Sequence, residues 1–311
     1  GRKLLFTQNP QGKITQVKDP QGRVFKYEYD SSANLVKTID PLTYETTYTY
    51  DSSHNLIQET DANNHSLYFE YDSQDRAYHS WQDNHNNEVT LAFDSLNKTT
   101  TTTDSLGNTT KYEYNDYGLV TKITDSQGNI QLFSWDDQLN KTSATNQNGH
   151  TTLFTYDSRG NLLTLKDPLN NATTFTYEPN FDLVNSITDG LGNITTYSYD
   201  SKGNLVQVKD PLNNITAYSY DAQGQLLQTK DANNNITNFS YDAYGSLIQI
   251  VDSLNNPTNF TYDIIGNLIQ TTDAKGNPTT FIYDLLNRII KITYPDNSNV
   301  TYTYDSIGNL I

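Results

Sequence analysis

The sequence predicts an all-β fold in which repeated 21-residue β-hairpins form one long antiparallel sheet, coiled into a spiral shell or rod. Three observations lead to this prediction. A phrase that ends in Tyr-Asp recurs along the chain, one strand of each phrase alternates aromatic and small polar residues, and turn-forming residues bound every strand. A fixed period of this size is typical of stacked repeats. We therefore expect residues 1–311 to form a single repeat region of about fifteen units.

The aspartate of the Tyr-Asp pair marks each unit. Successive markers lie 21 residues apart, except for gaps of 22 between Asp72 and Asp94 and between Glu178 and Asp200. The chain opens in mid-phrase and contains no methionine, so we expect it to be a fragment of a longer protein. The markers are Asn9, Asp30, Asp51, Asp72, Asp94, Asn115, Asp136, Asp157, Glu178, Asp200, Asp221, Asp242, Asp263, Asp284 and Asp305.

The marker opens the first turn of each unit, and a glycine often stands three residues later. The aspartate side chain can accept a hydrogen bond from a backbone N–H downstream, and the glycine can adopt positive φ. These residues, with the tyrosine before the marker, are the predicted structural repeat motif. Its members are Tyr29, Asp30, Tyr50, Asp51, Tyr71, Asp72, Tyr156, Asp157, Gly160, Tyr199, Asp200, Gly203, Tyr220, Asp221, Gly224, Tyr241, Asp242, Gly245, Tyr262, Asp263, Gly266, Tyr283, Asp284, Tyr304, Asp305 and Gly308.

The strand after this turn carries leucine five residues past the marker, as at Leu205, often followed by a β-branched residue or a second leucine. Adjacent residues of a strand point to opposite faces, so we expect some cover on both sides. A second turn follows, with proline after Asp40, Asp167 and Asp210. Its third position past the aspartate is glycine or asparagine in every unit except at Thr43, which predicts positive φ there. The predicted positions are Gly22, Asn64, Asn86, Gly107, Gly128, Gly149, Asn170, Gly192, Asn213, Asn234, Asn255 and Gly276.

The last strand of each unit carries the aromatic residues. In residues 215–220, Tyr218 and Tyr220 point to one face while Ala217 and Ser219 point to the other. Because this spacing recurs, the rings should form two columns on one face of the sheet. Stacked rings bury area and gain about 0.5–1.5 kcal/mol per pair beyond burial. We expect these columns to form a thin, buried aromatic core.

A meander of about 28 to 30 strands at ~4.8 Å each would extend on the order of 140 Å. Open twisted sheets seldom exceed ~10 strands without curling. The strip should therefore coil, either around a cavity or back upon itself as a filled rod. The sequence leaves both forms open, together with the diameter and the face that lies inside. No helical period is present.

Composition restricts the function. Hydrophobic content is 34% and net charge is −16, values close to those of disordered chains, but an aromatic content of 12% opposes disorder. The acidic balance disfavours nucleic acid and anionic membranes as partners. There is no cysteine, so disulfides and thiolate chemistry are excluded. No run of 18 apolar residues predicts membrane insertion.

The acidic residues and histidines are the candidates for a chemical site. Paired carboxylates are typical of glycosidases, but these aspartates recur at every turn and are better explained as turn formers. The spaced acidic pattern of a calcium loop is absent. His54, His65, His79 and His85 fall in the third and fourth units, where the repeat deviates. They could form a metal site, or they could be sequence variation at surface positions. We predict no catalytic, cofactor-binding or metal residue, no cofactor and no enzyme activity. The extra residues before Asp83 and Asp189 predict β-bulges.

The chain resembles the YD or Rhs repeat family. The resemblance is carried by Tyr-Asp-x-x-Gly-Asn-Leu at Tyr156, Tyr199, Tyr262 and Tyr304, and covers essentially the whole sequence. The family includes Rhs polymorphic toxins, C components of Tc toxins, wall-associated bacterial surface proteins and the teneurin barrel. It implies a β-strip that spirals into a hollow shell. The Asp-Pro-x-Gly signature of the family's self-cleaving core is absent, so self-cleavage and a toxin cargo are not implied.

Three functions follow as hypotheses. The first is a non-enzymatic structural scaffold of a large secreted or cell-surface bacterial protein, whose partner is a cargo or toxin domain of its own polypeptide. The second is an extracellular fibre or adhesin, whose partners are neighbouring copies joined through terminal strands. The third is a carbohydrate-binding surface, with glycans docked on exposed aromatic ladders.

Overall fold

A computed structural model describes residues 3–311 as 29 β-strands with one short 3₁₀ turn at Asp83–His85. No helix in this part of the chain is long and apolar enough to cross a membrane. The strands are β1 Leu5–Gln8, β2 Ile14–Lys18, β3 Val24–Tyr29, β4 Leu35–Ile39, β5 Glu45–Tyr50, β6 Leu56–Thr60, β7 Ser66–Tyr71, β8 Ala77–Gln82, β9 Asn86–Asp94, β10 Thr99–Asp104, β11 Thr109–Tyr114, β12 Val120–Thr124, β13 Ile130–Trp135, β14 Lys141–Thr145, β15 Thr151–Tyr156, β16 Leu162–Lys166, β17 Ala172–Tyr177, β18 Val184–Thr188, β19 Ile194–Tyr199, β20 Leu205–Lys209, β21 Ile215–Tyr220, β22 Leu226–Lys230, β23 Ile236–Tyr241, β24 Leu247–Val251, β25 Pro257–Tyr262, β26 Leu268–Thr272, β27 Pro278–Tyr283, β28 Ile289–Thr293 and β29 Asn299–Thr301.

The strands form one antiparallel meander. Each strand pairs with the next in the chain, from β1 with β2 to β28 with β29, and the first and last strands do not pair with each other. The sheet is therefore an open strip of 29 strands and not a closed barrel. The predicted all-β fold of repeated hairpins in one long antiparallel sheet is confirmed.

The strip has two edges made of turns. We call the edge formed by the turns that open at the markers, from Asn9 to Asp305, the YD rim. The other edge, the opposite rim, is formed by the turns that open at Asp19, Asp40, Asp61, Asp83, Asp104, Asp125, Asn146, Asp167, Asp189, Asp210, Asp231, Asp252, Asp273 and Tyr294.

Most turns of both rims share one five-residue design; those at Asp83, Asp94 and Glu178 differ. At Asp200 the backbone N–H donates to the Asn204 carbonyl at 2.9 Å, and the Gly203 N–H donates to the Asp200 carbonyl at 3.1 Å. The Asp200 carboxylate accepts from the Lys202 and Asn204 N–H groups at 2.8 and 2.9 Å. The fourth residue has positive φ, +85° at Gly203. The carboxylate thus pairs two backbone donors that the turn leaves without a partner.

The predicted conformation of the opposite-rim turns holds with one exception. Asn213 has φ of +68°, and Thr43, the residue that departs in sequence, has φ of +69°. At Asn86 the prediction is wrong, because φ is −69° and the positive values lie at Asn84, His85 and Asn87 instead. The 3₁₀ turn at this point replaces the five-residue turn of the other units.

A β-bulge interrupts each regular hairpin beside the YD rim. In β21 and β22, Ser219 faces Gln228 and Tyr220 faces Leu226, so Leu227 has no partner. Leu227 remains 40% exposed. We expected the leucine-bearing strand to be covered on both faces, but the face that carries Leu227 in β22 is not covered.

The sheet is a single layer. No apolar side chain in residues 3–311 is fully buried, and the fully buried polar residue is Ser66. Rings of the aromatic columns such as Tyr218 and Tyr220 are half-buried against their neighbours. The expectation of a buried aromatic core is wrong, because no second layer packs across the columns.

The strip nevertheless closes on itself as a spiral. Gln21 Nε2 donates to Asp263 Oδ2 at 3.0 Å, and Asn63 Nδ2 donates to Asp305 Oδ2 at 3.1 Å; both pairs are 242 residues apart. These bonds join the opposite rim of the first units to the YD rim of the last units. One turn of the spiral therefore takes roughly twelve repeats of 21 residues.

The two 22-residue units differ from each other. The first contains a bulge opposite the segment between Ser80 and Gln82, next to the predicted position, but its extra residue lies on β9, where Asn87 and Glu88 face Trp81 alone. In the second, the extra residue lies in a longer turn, where the Glu178 N–H donates to the Leu183 carbonyl. The bulge predicted before Asp189 is wrong, because the insertion is accommodated by the loop and not by the strand.

Candidate functional site

Most motif tyrosines, but not Tyr50 or Tyr241, link neighbouring hairpins at the YD rim. The ladder between β20 and β21 ends at Gln207 opposite Ala217. Past this end, the Tyr220 hydroxyl donates to the Leu205 carbonyl at 2.9 Å. The same bond, at 2.8 to 3.0 Å, is made by Tyr29, Tyr71, Trp135 (through the indole N–H), Tyr156, Tyr177, Tyr199, Tyr262, Tyr283 and Tyr304.

The tyrosine hydroxyls are suited to this role. Partial burial, with Tyr218 and the Asp200 carboxylate nearby, raises the pKa of Tyr220 above its usual value. The hydroxyl therefore stays protonated and remains a donor over the physiological range. Each such bond extends the attachment between hairpins beyond the last backbone pair, which makes the wall continuous up to its rim.

The motif aspartates act as hydrogen-bond acceptors in their turns. At Asp200, the bond from the Asn204 side chain and the bonds from backbone N–H groups outweigh partial desolvation and lower the pKa of the carboxyl. The marker carboxylates are spread along the rim, one in each turn except those at Asn9 and Asn115, and each is bonded by its own turn. This arrangement serves the turn and does not assemble an acid–base pair.

The four histidines do not meet at one point: His54 and His65 lie in separate turns, whereas His79 and His85 both lie near Glu88. His54 bonds Asn34, while His65 lies 3.6 Å from Asp61. Within residues 3–311, no group of three or more histidine, cysteine or acidic side chains could hold a metal ion. The metal reading of these residues therefore has no support in the geometry.

His79 occupies a distinct polar cluster. Its Nδ1 lies 2.9 Å from Glu70 Oε2 and its Nε2 lies 2.7 Å from Glu88 Oε1. Partial burial opposes its charge, but the two carboxylates prevail and raise the pKa of His79. Trp81 stacks between Tyr68 and His85, with ring centroids 5.4 and 5.3 Å away. At the position of His79, other units carry residues such as Gln207 and Gln228.

The contact between successive turns of the spiral, which we call the seam, joins three opposite-rim turns to three YD-rim turns. Arg23 pairs with Asp19 at 2.6 Å, and their side chains are only 9% and 8% exposed. Arg23 Nη1 also donates to the Leu285 carbonyl at 2.8 Å. Asn63 accepts a short hydrogen bond from the Ser306 hydroxyl. The seam turns are those at Asp19, Asp40 and Asp61, against those at Asp263, Asp284 and Asp305.

The seam also has an apolar part. Leu285 lines a cavity with Pro41, while Leu286 and Ile307 line another with Ile39. Sequence reasoning missed this site altogether. The signal was present as apolar pairs such as Ile264-Ile265 and Leu285-Leu286 in turns that are polar in most other units.

The sequence profile of the RHS repeat family matches residues 9–43, 32–66, 199–236, 220–257, 241–278 and 262–298, just over half of the chain. The Teneurin YD-shell profile matches residues 81–217, which fills most of the interval between them. No curated protein sequence matches the chain.

Solved structures with the same fold come from bacterial toxin complexes. The pore form of the Photorhabdus luminescens Tc holotoxin, with a substitution in TccC3, aligns with a TM-score of 0.75 at 17% identity over 99% of this chain. The TcdB2–TccC3–Cdc42 complex and TcdB2–TccC3 without the hypervariable C-terminal region give TM-scores of 0.56 and 0.55, both at 14% identity over 100% of this chain.

The chain spans only about a fifth of these neighbours, 21% to 22% of their length. At such low identity the similarity shows a shared fold and nothing further. The period, the hairpin strip and the profile matches agree with one another, and the chain belongs to the RHS repeat family.

Proposed function

We propose that this chain is a wall segment of a hollow β-shell that encloses a cargo domain of its own polypeptide. The observation that carries the proposal is a single-layer sheet that turns through a full circle with both faces uncovered. Its accessible surface is 19308 Å². A compact protein of 35.2 kDa would expose about 13,000 Å². The excess is what a wall with an inner and an outer face requires.

The dimensions fit a container. About 24 strands in one turn of the spiral, at ~4.8 Å each, give a circumference on the order of 115 Å and a diameter of about 35 Å. Strands of five or six residues make the wall ~17–20 Å tall. One turn is thus a ring as wide as a small domain but shorter, so enclosure of a cargo would need further turns.

The chemistry of the wall favours a passive role. Its turn carboxylates are bonded within their own turns, as at Asp200, and its tyrosine hydroxyls are engaged by backbone carbonyls, as at Tyr220. A barrier of paired backbone groups has few free polar atoms to catalyse a reaction. We assign the chain a non-enzymatic role in a secreted or cell-surface protein, as a single repeat region over residues 1–311.

Small-angle X-ray scattering of the purified chain tests the hollow form. A hollow ring gives a pair-distance distribution whose maximum lies beyond half of its largest dimension, whereas a filled rod gives an early maximum with a long tail. The rod-like profile would overturn the proposal. Limited proteolysis of the chain expressed with its flanking gene sequence tests the cargo, which should resist cleavage until the wall is unfolded.

A glycan-binding surface is the second candidate, and the uncovered aromatic columns favour it. Rings such as Tyr218 and Tyr220 are half-buried by their neighbours in the sheet, with no second layer packed over them. Sugar rings could dock on such faces. A glycan array compares the chain with its Tyr218→Ala variant, and binding that is equal in both would remove this candidate.

A further inference from the structure

Beyond the seam, the opposite rim carries a row of exposed leucines. Each occupies the second position after the aspartate that opens its turn. They are Leu106 at 85% exposed, Leu169 at 81%, Leu191 at 88%, Leu212 at 81% and Leu254 at 78%. We call them the leucine rim. Leu169, Leu191 and Leu212 lie at three successive turns and form a row, whereas turns with a polar residue at this position separate Leu106 and Leu254 from them. Grouped exposed apolar residues mark interaction sites.

Inside the seam, the same position is covered. Leu42 follows Asp40-Pro41 just as Leu212 follows Asp210-Pro211, yet Leu42 is half-buried. Pro41 is likewise half-buried, whereas Pro211 is exposed. Leu285, from a YD-rim turn of the next spiral turn, lines the same cavity as Pro41 and remains 46% exposed. The same Asp-Pro-Leu sequence is thus half-buried in the seam and exposed at the leucine rim.

The turns that cover the seam have their own sequence. The two residues after the marker are Ile264 and Ile265 in one turn and Leu285 and Leu286 in the next, and Ile307 follows Asp305 by two. At other markers these two positions are mostly small or polar. Examples are Ser31-Ser32, Ser52-Ser53, Ser73-Gln74, Ser158-Arg159 and Ser201-Lys202, whereas Leu96, Tyr117 and Tyr244 are isolated apolar exceptions.

We propose that the leucine rim is the docking surface for a further row of YD-type turns that carry apolar residues at the two positions after the aspartate. The occupant is a hairpin strip of that chemistry, seated as the turns at Asp263 and Asp284 are seated in the seam. The leucine rim continues the edge that forms the seam, and it offers the residue that the seam covers.

The polar contacts of this docking differ from those of the seam. The position of Arg23 is taken by asparagine in the leucine-rim turns, as at Asn171 and Asn214. The Asn214 amide already donates to its own Asp210 carboxylate at 2.8 Å. The charged link that Arg23 makes to the Leu285 carbonyl is therefore missing, and contact with the leucines must supply most of the attachment. A polar YD rim of a second copy offers them no apolar counterpart.

Grafting the seam sequence onto a polar stretch of the YD rim tests the proposal. Ser158→Ile with Arg159→Ile, and Ser201→Ile with Lys202→Ile, reproduce the Asp-Ile-Ile-Gly-Asn turn found at Asp263. The intact grafted chain should associate at micromolar concentration in sedimentation velocity, because its new apolar turns can dock on the leucine rim of another copy. The unsubstituted chain should remain monomeric over the same range.

Substitution of the leucines in the grafted chain is the decisive experiment. Leu169→Asn, Leu191→Asn and Leu212→Asn in the grafted chain should weaken association at least tenfold. Asparagine occupies this turn position natively at Asn63 and Asn233, so the turns can form. Leu153→Thr, which removes a leucine that is 46% exposed on the sheet face, is the matched control and should leave association unchanged. Far-UV circular dichroism checks the fold of each variant.

Cross-linking gives an independent readout. The chain has no cysteine, so Leu212→Cys in one copy should form a disulfide under mild oxidation with a second, grafted copy in which Ser201→Cys replaces Ser201→Ile. A grafted chain that stays monomeric, or that associates equally well without the leucines, would overturn the proposal. Equally strong association of the unsubstituted chain through the leucines would also overturn it, since the occupant would then be the polar rim of a second copy. The hollow-wall proposal stands or falls separately by its scattering profile.

Discussion

Leu42 and Leu212 occupy equivalent positions in turns of the same Asp-Pro-Leu sequence, but one lies in the seam and the other on a bare rim. Each hairpin is therefore specified by its own repeat, whereas burial is decided by what the spiral brings opposite, 242 residues away. The residues that distinguish the two regions are departures from the repeat, such as Arg23 and Leu285. In this protein the repeated positions build the wall and the irregular positions determine where it closes.

The largest expected effect comes from breaking the ion pair of the seam. Arg23→Ala leaves the Asp19 carboxylate, 8% exposed, without its cation. The loss of one partner of a buried pair costs about 3–5 kcal/mol. Urea unfolding measures the change in free energy, and scattering shows whether the spiral opens.

The matched control lies on a free part of the YD rim. Arg159 pairs with Asp182 at 2.6 Å, but the two side chains are 52% and 40% exposed. Exposed pairs contribute about 0–1 kcal/mol. Equal losses for Arg23→Ala and Arg159→Ala would contradict the assignment of the seam as a buried contact.

A smaller effect is expected from the two equivalent leucines. Leu42→Asp places a charge in the half-buried seam and should cost about 1–3 kcal/mol. Leu212→Asp alters a side chain that is 81% exposed and should change stability by no more than about 0.5 kcal/mol. The order of the two midpoints in urea is the measurement, and a reversed order would show that the bare rim is covered in solution.

Within the free wall, the tyrosine bond should contribute a uniform, smaller amount. Tyr220→Phe removes the donor to the Leu205 carbonyl and should cost about 0.5–1.5 kcal/mol. Tyr241 makes no such bond in the described structure, so Tyr241→Phe should be nearly neutral. Thermal unfolding of both variants decides the point, and a neutral Tyr220→Phe would assign the tyrosine to packing alone.

The smallest effect concerns the irregular unit at His79. The pKa of His79 is raised in the folded state, so the protonated imidazole stabilises the fold through Glu70 and Glu88. This stabilisation is fully present below the ordinary pKa of 6.5 and is lost as pH rises through the folded pKa. Because the cluster is partly exposed, His79→Gln should remove less than about 1 kcal/mol, and only at low pH. Unfolding free energies between pH 5 and pH 9 test this, and a difference that grows with pH would have the wrong sign.

Much of the fold was available from the sequence because it is local. The spacing of Tyr220 from Asp221 defines a strand face, and Gly203 predicts a positive φ, without any distant information. The wall's single-layer character was not predicted, because alternation at Tyr218 and Tyr220 indicates one apolar face but not whether a second layer covers it. The partner of Tyr220, the Leu205 carbonyl, depends on where the backbone ladder ends.

The seam could not be derived from spacing. The register of Arg23 against Leu285 depends on twist accumulated over roughly twelve repeats, and small errors per strand add up over that distance. The unusual Leu285-Leu286 pair shows that a turn is different without showing which turn it meets.

The long separation across the seam has a consequence for biosynthesis. Nearly every hairpin needs only its immediate neighbours, so it can fold soon after it leaves the ribosome. The contact between Gln21 and Asp263 must wait for 242 further residues. At ~5–20 residues per second this delay is roughly 12 to 50 seconds. During that interval the first hairpins stand on their own, and cleavage by proteases or capture by chaperones at their opposite rim would compete with completion of the first turn.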